Sequence, residues 1–167
     1  GRFLSASRRS LAPMNEDTSP ETSTGPAGLW YQVAVDCHDP HPLADWWAET
    51  LGWQVEPQDE AFIRSMVDQG LATEAETTTH RGKLVWATGC AVVPTDGSRA
   101  RLLFQQVPEG KTVKNRTHLD LRGVAPDDLP AFRARLVERG ATVLHEGRQG
   151  PHTWVTMTDP EGNEFCA

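Results

Sequence analysis

The sequence contains a weak internal repeat, and a duplicated unit restricts the folds that the chain can adopt. The segment Gln32-Val-Ala-Val is matched by His118-Leu-Asp-Leu. Each segment precedes an apolar pattern of helical period that ends in a glycine, at Gly52 and Gly140. Two copies of one unit predict two similar sheets related by a pseudo-twofold axis, so we expect an α+β fold.

The first unit, residues 29–110, has the predicted order βαβββ. Alternating apolar residues indicate a strand over 30–36, and apolar residues at helical spacing indicate a helix over 43–51. The remaining strands of this unit are predicted at 53–56, 83–93 and 101–107, with a short additional helix within 58–72.

The second unit, residues 111–167, repeats this order. A strand is predicted at 117–121 and a helix at 126–140, followed by strands at 141–145, 154–158 and 164–166. One helix covers only one face of its sheet, so we expect the helices on the outer face and an open, barrel-like curved sheet around a cleft. Clefts of this kind bind small molecules.

The composition of the chain disfavours two kinds of partner, nucleic acid and membrane. The formal net charge of -7 disfavours nucleic acid, and no apolar run is long enough to cross a membrane. Residues 1–28 are rich in Ser, Thr, Pro and charged residues, which predicts a flexible N-terminal arm before a domain over 29–167. Cys37, Cys90 and Cys166 are odd in number and scattered, so we expect a reduced, cytoplasmic protein.

Two segments carry a resemblance to a known family. They are Lys111-Thr-Val-Lys-Asn-Arg-Thr-His-Leu-Asp-Leu and Thr158-Asp-Pro-Glu-Gly-Asn-Glu-Phe-Cys. Together with the order of elements, they resemble the vicinal-oxygen-chelate superfamily of glyoxalases, bleomycin resistance proteins and extradiol dioxygenases, and look closest to its glyoxalase-like branch. The resemblance implies paired βαβββ units and, in metal-dependent members, one divalent cation bound by side chains of the first and fourth strands of each unit.

Transferred position by position, the resemblance implies an incomplete set of metal ligands. The first-strand positions fall on Gln32 and His118, which can ligate. The last-strand carboxylate position falls on Cys166, with Glu164 two residues earlier, and the remaining position falls near Phe104. We therefore expect no cofactor; a divalent metal, if bound, would use Gln32, His118 and Glu164.

The predicted ligand pocket contains these positions and two of their neighbours: Trp30, Gln32, Phe104, His118, Asp120, Glu164 and Cys166. His118 is either a catalytic base or metal ligand, or a structural residue hydrogen-bonded to Asp120. Cys166 is interpreted as a small apolar core residue rather than a nucleophile, since no flanking cation indicates a lowered pKa.

The cations Lys111, Lys114 and Arg116 either hold an anionic ligand or are solvated. His38 and His41 are expected to face solvent.

Two functions remain open from the sequence. The first is a small-molecule-binding protein with an eroded metal site that sequesters an aromatic or antibiotic-like ligand. The second is a lyase, isomerase or dioxygenase-like enzyme in which His118 is the base or metal ligand and Gln32 polarises the substrate. An exposed sheet edge in each unit also favours a homodimer.

Overall fold

The computed structural model describes residues 28–167. The predicted N-terminal arm lies outside the described residues, except for Gly28. The first half of the chain contains two α-helices and six strands: β1 (Val33–Cys37), α1 (Pro40–Leu51), β2 (Gln54–Val55), α2 (Glu60–Asp68), β3 (Thr77–His80), β4 (Lys83–Trp86), β5 (Gly89–Val93) and β6 (Leu102–Gln106). The second half contains β7 (Leu119–Asp120), α3 (Leu129–Glu138), β8 (Thr142–Gln149), β9 (His152–Thr158) and β10 (Glu164–Cys166).

Two four-stranded sheets have the same strand order. The first sheet runs β1-β6-β5-β2 and the second runs β7-β10-β9-β8. In each sheet the first and last strands of the half are parallel neighbours, and the remaining pairs are antiparallel. Across residues 28–167 the fold is mixed α+β with ten strands and three α-helices, and the sheets form no closed barrel.

Helix α1 joins the two sheets into one core. Pro40 begins the helix, and Gly52 ends it in the left-handed conformation with φ of 66°. The helix packs on β5 and β6 of the first sheet. On the other side, the rings of Trp46 and Trp47 meet Phe165 of the second sheet edge to face, at centroid distances of 5.9 and 5.3 Å. Aromatic contacts of this kind bury a large apolar area, so the two halves are stabilised together.

Hydrogen bonds also stabilise the contact between the two halves of the chain. The indole of Trp46 donates to the backbone oxygen of Arg139 at 2.9 Å, and the Arg139 guanidinium donates back to the Trp46 carbonyl at 2.7 Å. The carboxylate of Glu161 accepts hydrogen bonds from the backbone N–H groups of His38 and Asp39, at 2.5 and 2.8 Å. The turn before α1 is thereby held against the β9–β10 connection.

The largest departure from the predicted elements lies in the middle of the first half. The run predicted as one strand over 83–93 is two strands, β4 and β5, separated at residues 87–88. Strand β4 does not join the main sheet; it pairs with β3 in a separate two-stranded hairpin. The predicted strand at 30–36 begins instead at Val33, which leaves Trp30 outside it.

Candidate functional site

A groove of about 1140 Å³ lies between β1 and β7, which are the facing edge strands of the two sheets. Its walls are β1 with the following turn and the connection that leads to β7, and its floor is Trp47 with the β9–β10 turn. The groove is lined by residues 33–39, 47, 107, 109–119, 159, 161, 163 and 164.

The connection before β7 is held in place by Glu164. The Glu164 carboxylate pairs with the Lys111 ammonium at 3.1 Å and accepts the backbone N–H of Asn115 at 3.0 Å. Burial raises the pKa of Glu164, but the hydrogen bonds from Asn115 and Lys111 outweigh it, so that the pKa lies below its ordinary value. Glu164 is therefore an ionised anchor for this wall of the groove.

The floor of the groove contains a buried carboxylate. Asp159 is only 2% exposed and accepts hydrogen bonds from the Trp47 indole and the backbone N–H groups of Glu161 and Asn163, each at 3.0 Å. Burial raises the pKa of Asp159, and these hydrogen bonds oppose the rise. Because its oxygens already accept several donors, Asp159 shapes the turn and is not free to bind a ligand.

Carboxylates outnumber cations in the groove. Six acidic side chains line it, at positions 36, 39, 109, 159, 161 and 164. Three basic side chains do so, Lys111, Lys114 and Arg116. Lys111 is already paired with Glu164. The balance favours a neutral or positively charged ligand over an anion.

Three potential metal-binding side chains meet at the edge of the groove. His118 immediately precedes β7, Asp120 lies within it, and Cys166 lies opposite Asp120 on the parallel strand β10. One donor atom from each lies within 4.8 Å of the others, and His118 Nδ1 is 3.0 Å from Asp120 Oδ1. Burial raises the pKa of the Cys166 thiol, and the contact with Thr156 Oγ1 at 3.7 Å opposes that rise. Of the three, His118 lines the groove.

Gln32 and Trp30 are placed elsewhere. The amide oxygen of Gln32 accepts a hydrogen bond from Arg101 at 2.5 Å, and Arg101 also pairs with Glu56 at 2.5 Å. Trp30 is 55% exposed. Neither residue lines the groove, so the structure does not bring Gln32 together with His118 there.

Phe104, which was expected near the ligand, is fully buried in the core. It pairs with Val35 in the parallel ladder, so it faces α1. The next residue, Gln105, points to the opposite face because side chains alternate along a strand. There its amide donates to Asp36 at 3.2 Å. A shift of one residue in the alignment of the two halves accounts for the difference.

The set of metal ligands that the family resemblance implies does not fit this structure. Phe104 is in the core, Gln32 is held by Arg101 away from the groove, and Glu164 is paired with Lys111. Only His118 keeps an accessible donor atom at the edge of the groove. The donors that do meet are His118, Asp120 and Cys166.

A second cavity, of about 480 Å³, lies beneath the β3–β4 hairpin. His41 is buried there, not exposed as expected: its ring stacks on His80 at 5.0 Å and donates from Nε2 to the Trp86 carbonyl at 2.8 Å. Asp45 contacts both His80 and Arg81 at 2.8 Å. The i, i+4 spacing of His41 and Asp45 indicates a shared helix face, but the hairpin that covers them has no clear sequence signal.

The comparisons with known proteins agree with this fold. A mutant of the fosfomycin resistance protein FosX from Listeria monocytogenes, complexed with Mn(II) and a dihydroxypropylphosphonic acid, is 8% identical with a TM-score of 0.54, and the match covers 85% of this chain and 91% of that one. FosX from Mesorhizobium loti is 9% identical with a TM-score of 0.51, covering 83% and 89%. The oxidase ChaP-H2 is 17% identical with a TM-score of 0.50, covering 84% and 91%.

The sequence itself gives the family. No curated protein matches the chain significantly. The family model described as a glyoxalase-like domain matches residues 32–167, which include all the helices and strands described above. The chain therefore belongs to the glyoxalase-like family of the vicinal-oxygen-chelate superfamily.

Proposed function

We propose that the protein binds and sequesters a small molecule in the groove between β1 and β7. The observation that carries the proposal is the volume of the groove, about 1140 Å³, which is slightly above the roughly 300–1,000 Å³ of sites for drug-sized ligands. Val33, Val35 and Val113 supply apolar contacts, and the polar groups of the turns at 36–39 and 161–164 fix orientation. The family's usual metal set is eroded, which favours binding over metal-dependent turnover.

The charge of the groove indicates the class of ligand. Asp36 and Glu109 are exposed carboxylates on its walls, whereas Lys111 is neutralised by Glu164. Among the aromatic residues, Trp47 alone lines the groove within residues 28–167; Trp30, Trp86 and Trp154 line neither cavity. A polar, neutral or cationic antibiotic-like molecule fits these walls better than a flat aromatic one.

Thermal denaturation with two charged antibiotics tests this proposal. We expect bleomycin, a cationic glycopeptide, to raise the melting temperature, and fosfomycin, an anionic phosphonate, to leave it unchanged. Bleomycin should be recovered intact after incubation, as measured by mass spectrometry. Asp36→Asn and Glu109→Gln should each weaken binding, while Glu138→Gln in α3 is the matched control away from the groove.

Binding of fosfomycin but not of bleomycin would contradict the proposal. Binding of fosfomycin that is lost in Lys114→Gln and Arg116→Gln would assign the groove to anions instead. Chemical change of the bound antibiotic would replace sequestration with catalysis.

We also propose that the protein is a homodimer. Leu29, Trp30 and Tyr31 form a continuous apolar run whose side chains are 79%, 55% and 83% exposed. Exposed apolar runs of this kind mark contact surfaces. Trp30→Ser combined with Tyr31→Ser should convert a dimer into a monomer in light scattering, whereas Leu71→Ser, at an isolated exposed residue, should not. A wild-type monomer at high concentration would contradict the proposal.

Catalysis by His118 is the alternative function, and one observation favours it. His118 lines the groove while its Nδ1 contacts Asp120 at 3.0 Å, an arrangement that can orient an imidazole as a base. Gln32 gives no support to this alternative, because Arg101 holds its amide oxygen outside the groove. Loss of turnover in His118→Gln with unchanged ligand affinity would favour catalysis over sequestration.

A further inference from the structure

The cavity beneath the β3–β4 hairpin is separate from the groove between β1 and β7. Its volume is about 480 Å³, within the roughly 300–1,000 Å³ of small-molecule sites, and it shares no lining residue with the groove. Helix α1 contributes His41 and Asp45 to its wall, and the hairpin contributes His80. None of the positions implied by the family resemblance lies in this cavity.

The hydrogen bonds of the two histidines determine which ring nitrogen carries the proton. His41 Nε2 lies 2.8 Å from the backbone oxygen of Trp86, which can only accept, so Nε2 is the donor. His80 Nε2 likewise donates to the Asp45 carboxylate at 2.8 Å. In a neutral imidazole the other nitrogen, Nδ1, is then an acceptor.

These acceptors have no hydrogen-bond donor among residues 28–167. His41 is only 4% exposed, yet its Nδ1 bonds to no group there. Since no fully buried side-chain nitrogen or oxygen of the described chain lacks a hydrogen-bond partner, this Nδ1 is accessible, and the surface that His41 lines is the cavity. Both contacts of Asp45, with His80 and Arg81, use Oδ2, which leaves Oδ1 open as well. The cavity therefore presents acceptors that a ligand can fill.

The charges around the cavity favour a cationic ligand. Glu49 and Glu56 are each paired with an arginine that does not line the cavity. Arg81 and Lys83 are exposed, so water screens their charges. The Asp45 side chain is only 18% exposed, so its negative charge is screened least. A ligand that donates hydrogen bonds and also carries positive charge satisfies both the acceptors and this carboxylate.

The spacing of the acceptors indicates the shape of the cation. Among the described residues, His41, Asp45 and His80 do not form a group compact enough to hold a metal ion. A planar amidinium or guanidinium group carries its N–H donors on separate nitrogens that point in different directions, so it suits spread acceptors better than a single ion or a single ammonium nitrogen. Part of the remaining wall is apolar, with Ala48, Val55, Pro57 and Val85.

We propose that this cavity binds a small organic molecule that carries an amidinium or guanidinium group. The N–H groups of the ligand donate to Nδ1 of His41 and His80 and to Oδ1 of Asp45, and its hydrocarbon body packs on the apolar part of the wall. The inference goes beyond the proposed sequestering function and does not depend on it, because the two cavities have different walls.

Isothermal titration calorimetry of the full chain with benzamidine tests the proposal. Benzamidine carries one amidinium group on an apolar ring, benzamide keeps this shape without the charge, and benzoate reverses the charge. Benzylamine keeps the charge on a single nitrogen. We expect one equivalent of benzamidine to bind, and each of the other three compounds to bind at least about tenfold more weakly.

His41→Gln and Asp45→Asn locate the binding site. A glutamine amide can replace Nε2–H as the donor to the Trp86 carbonyl but places no acceptor at the position of Nδ1. We expect each variant to weaken benzamidine binding at least about tenfold. His152→Gln and Asp127→Asn are the matched controls, at exposed residues that line neither cavity, and should bind benzamidine like the wild type.

Circular dichroism verifies folding of each variant, and nitrogen-15 NMR of the wild-type imidazoles keeps the test usable if His41→Gln is unstable. The chain has six histidines. Benzamidine should shift the Nδ1 resonances of two of them, assigned to His41 and His80.

Three outcomes overturn the site. The first is a folded wild-type protein that does not bind benzamidine. The second is binding of benzamide or benzylamine as tight as that of benzamidine, which would remove the argument for a planar cation. The third is an affinity that is lost in Asp36→Asn or Glu109→Gln but kept in Asp45→Asn, which would assign benzamidine to the groove. Failure of bleomycin to bind leaves the benzamidine result unaffected, because the two ligands are tested with variants of different cavities.

Discussion

The two sheets have the same strand order but differ in the side chains on the corresponding strands and just before them. In the first sheet, Gln32 is held in a network with Arg101 and Glu56, and Phe104 is part of the core. In the second sheet, His118 and Asp120 remain exposed next to Cys166. The same strand order therefore carries different side chains at these positions: Gln32 and Phe104 are held within the fold, whereas His118 and Asp120 stay accessible.

The largest expected effect comes from Phe104→Ala, which tests whether this residue belongs to the core. The side chain is 0% exposed and belongs to the cluster that includes Trp47 and Val92. Removing a buried phenylalanine leaves a cavity, so we expect the free energy of unfolding to fall by about 3–5 kcal/mol. Urea denaturation followed by tryptophan fluorescence measures it.

His118→Ala is the contrasting substitution, at an exposed position of the second half. Its side chain is 39% exposed, and a surface change of this kind should alter the free energy of unfolding by no more than about 0.5 kcal/mol. Similar losses in both variants would refute this difference between the two sheets.

An effect smaller than that of Phe104→Ala is expected from Gly147→Ala in β8, which tests the packing of the second sheet. An added Cβ would lie 2.2 Å from Cε2 of Trp154, the residue paired with Gly147 across the ladder. The indole must shift to avoid the clash, so we expect a loss of about 1–3 kcal/mol and a change in tryptophan emission. Gly110→Ala is the control, because a Cβ added there meets no atom within 4 Å and the φ of Gly110 is ordinary. Gly150→Ala would not serve, because the φ of Gly150 is 57°. Equal stability of the two variants would show that Trp154 is not packed on Gly147.

The positions of most helices and strands could be predicted from local patterns, and the family from the resemblance carried by two segments of the chain. Alternation of Val33 and Val35 and the glycine after α1 are properties of adjacent residues. The orientation of Phe104 could not be predicted, since a shift of one residue moves a side chain to the other face of the sheet. The burial of His41 could not be predicted either, because it depends on a hairpin whose Trp86 lies 45 residues later in the chain.

The site was predicted in part for the same reason. The family resemblance points to His118 and Cys166, Asp120 is a neighbour of His118 on the same strand, and parallel pairing of β7 with β10 brings the three together. The ion pair of Glu164 with Lys111 could not be predicted, because the two residues lie 53 positions apart and only the folded connection brings them together. Sequence position identifies a candidate ligand, but its competing partners are set by the tertiary structure.

A loss smaller than that of Gly147→Ala is expected at this anchoring carboxylate, and it depends on pH. The folded-state pKa of Glu164 lies below its ordinary value of 4.5, so ionised Glu164 stabilises the fold above that value. This stabilisation is lost as the pH falls from 4.5 through the folded-state pKa, because protonation then favours the unfolded chain. Glu164→Gln should lower the free energy of unfolding by about 0.5–1 kcal/mol near neutral pH and by less in acid.

Urea denaturation of the wild type and Glu164→Gln between about pH 7 and about pH 3 measures this difference. The exposed Glu138→Gln in α3 is the control and should track the wild type throughout. A penalty in Glu164→Gln that stays constant down to the lowest pH would mean that shape, not charge, holds the connection before β7. Glu164 would then be free of its ion pair with Lys111, and the argument for excluding it from the metal site would lose its support.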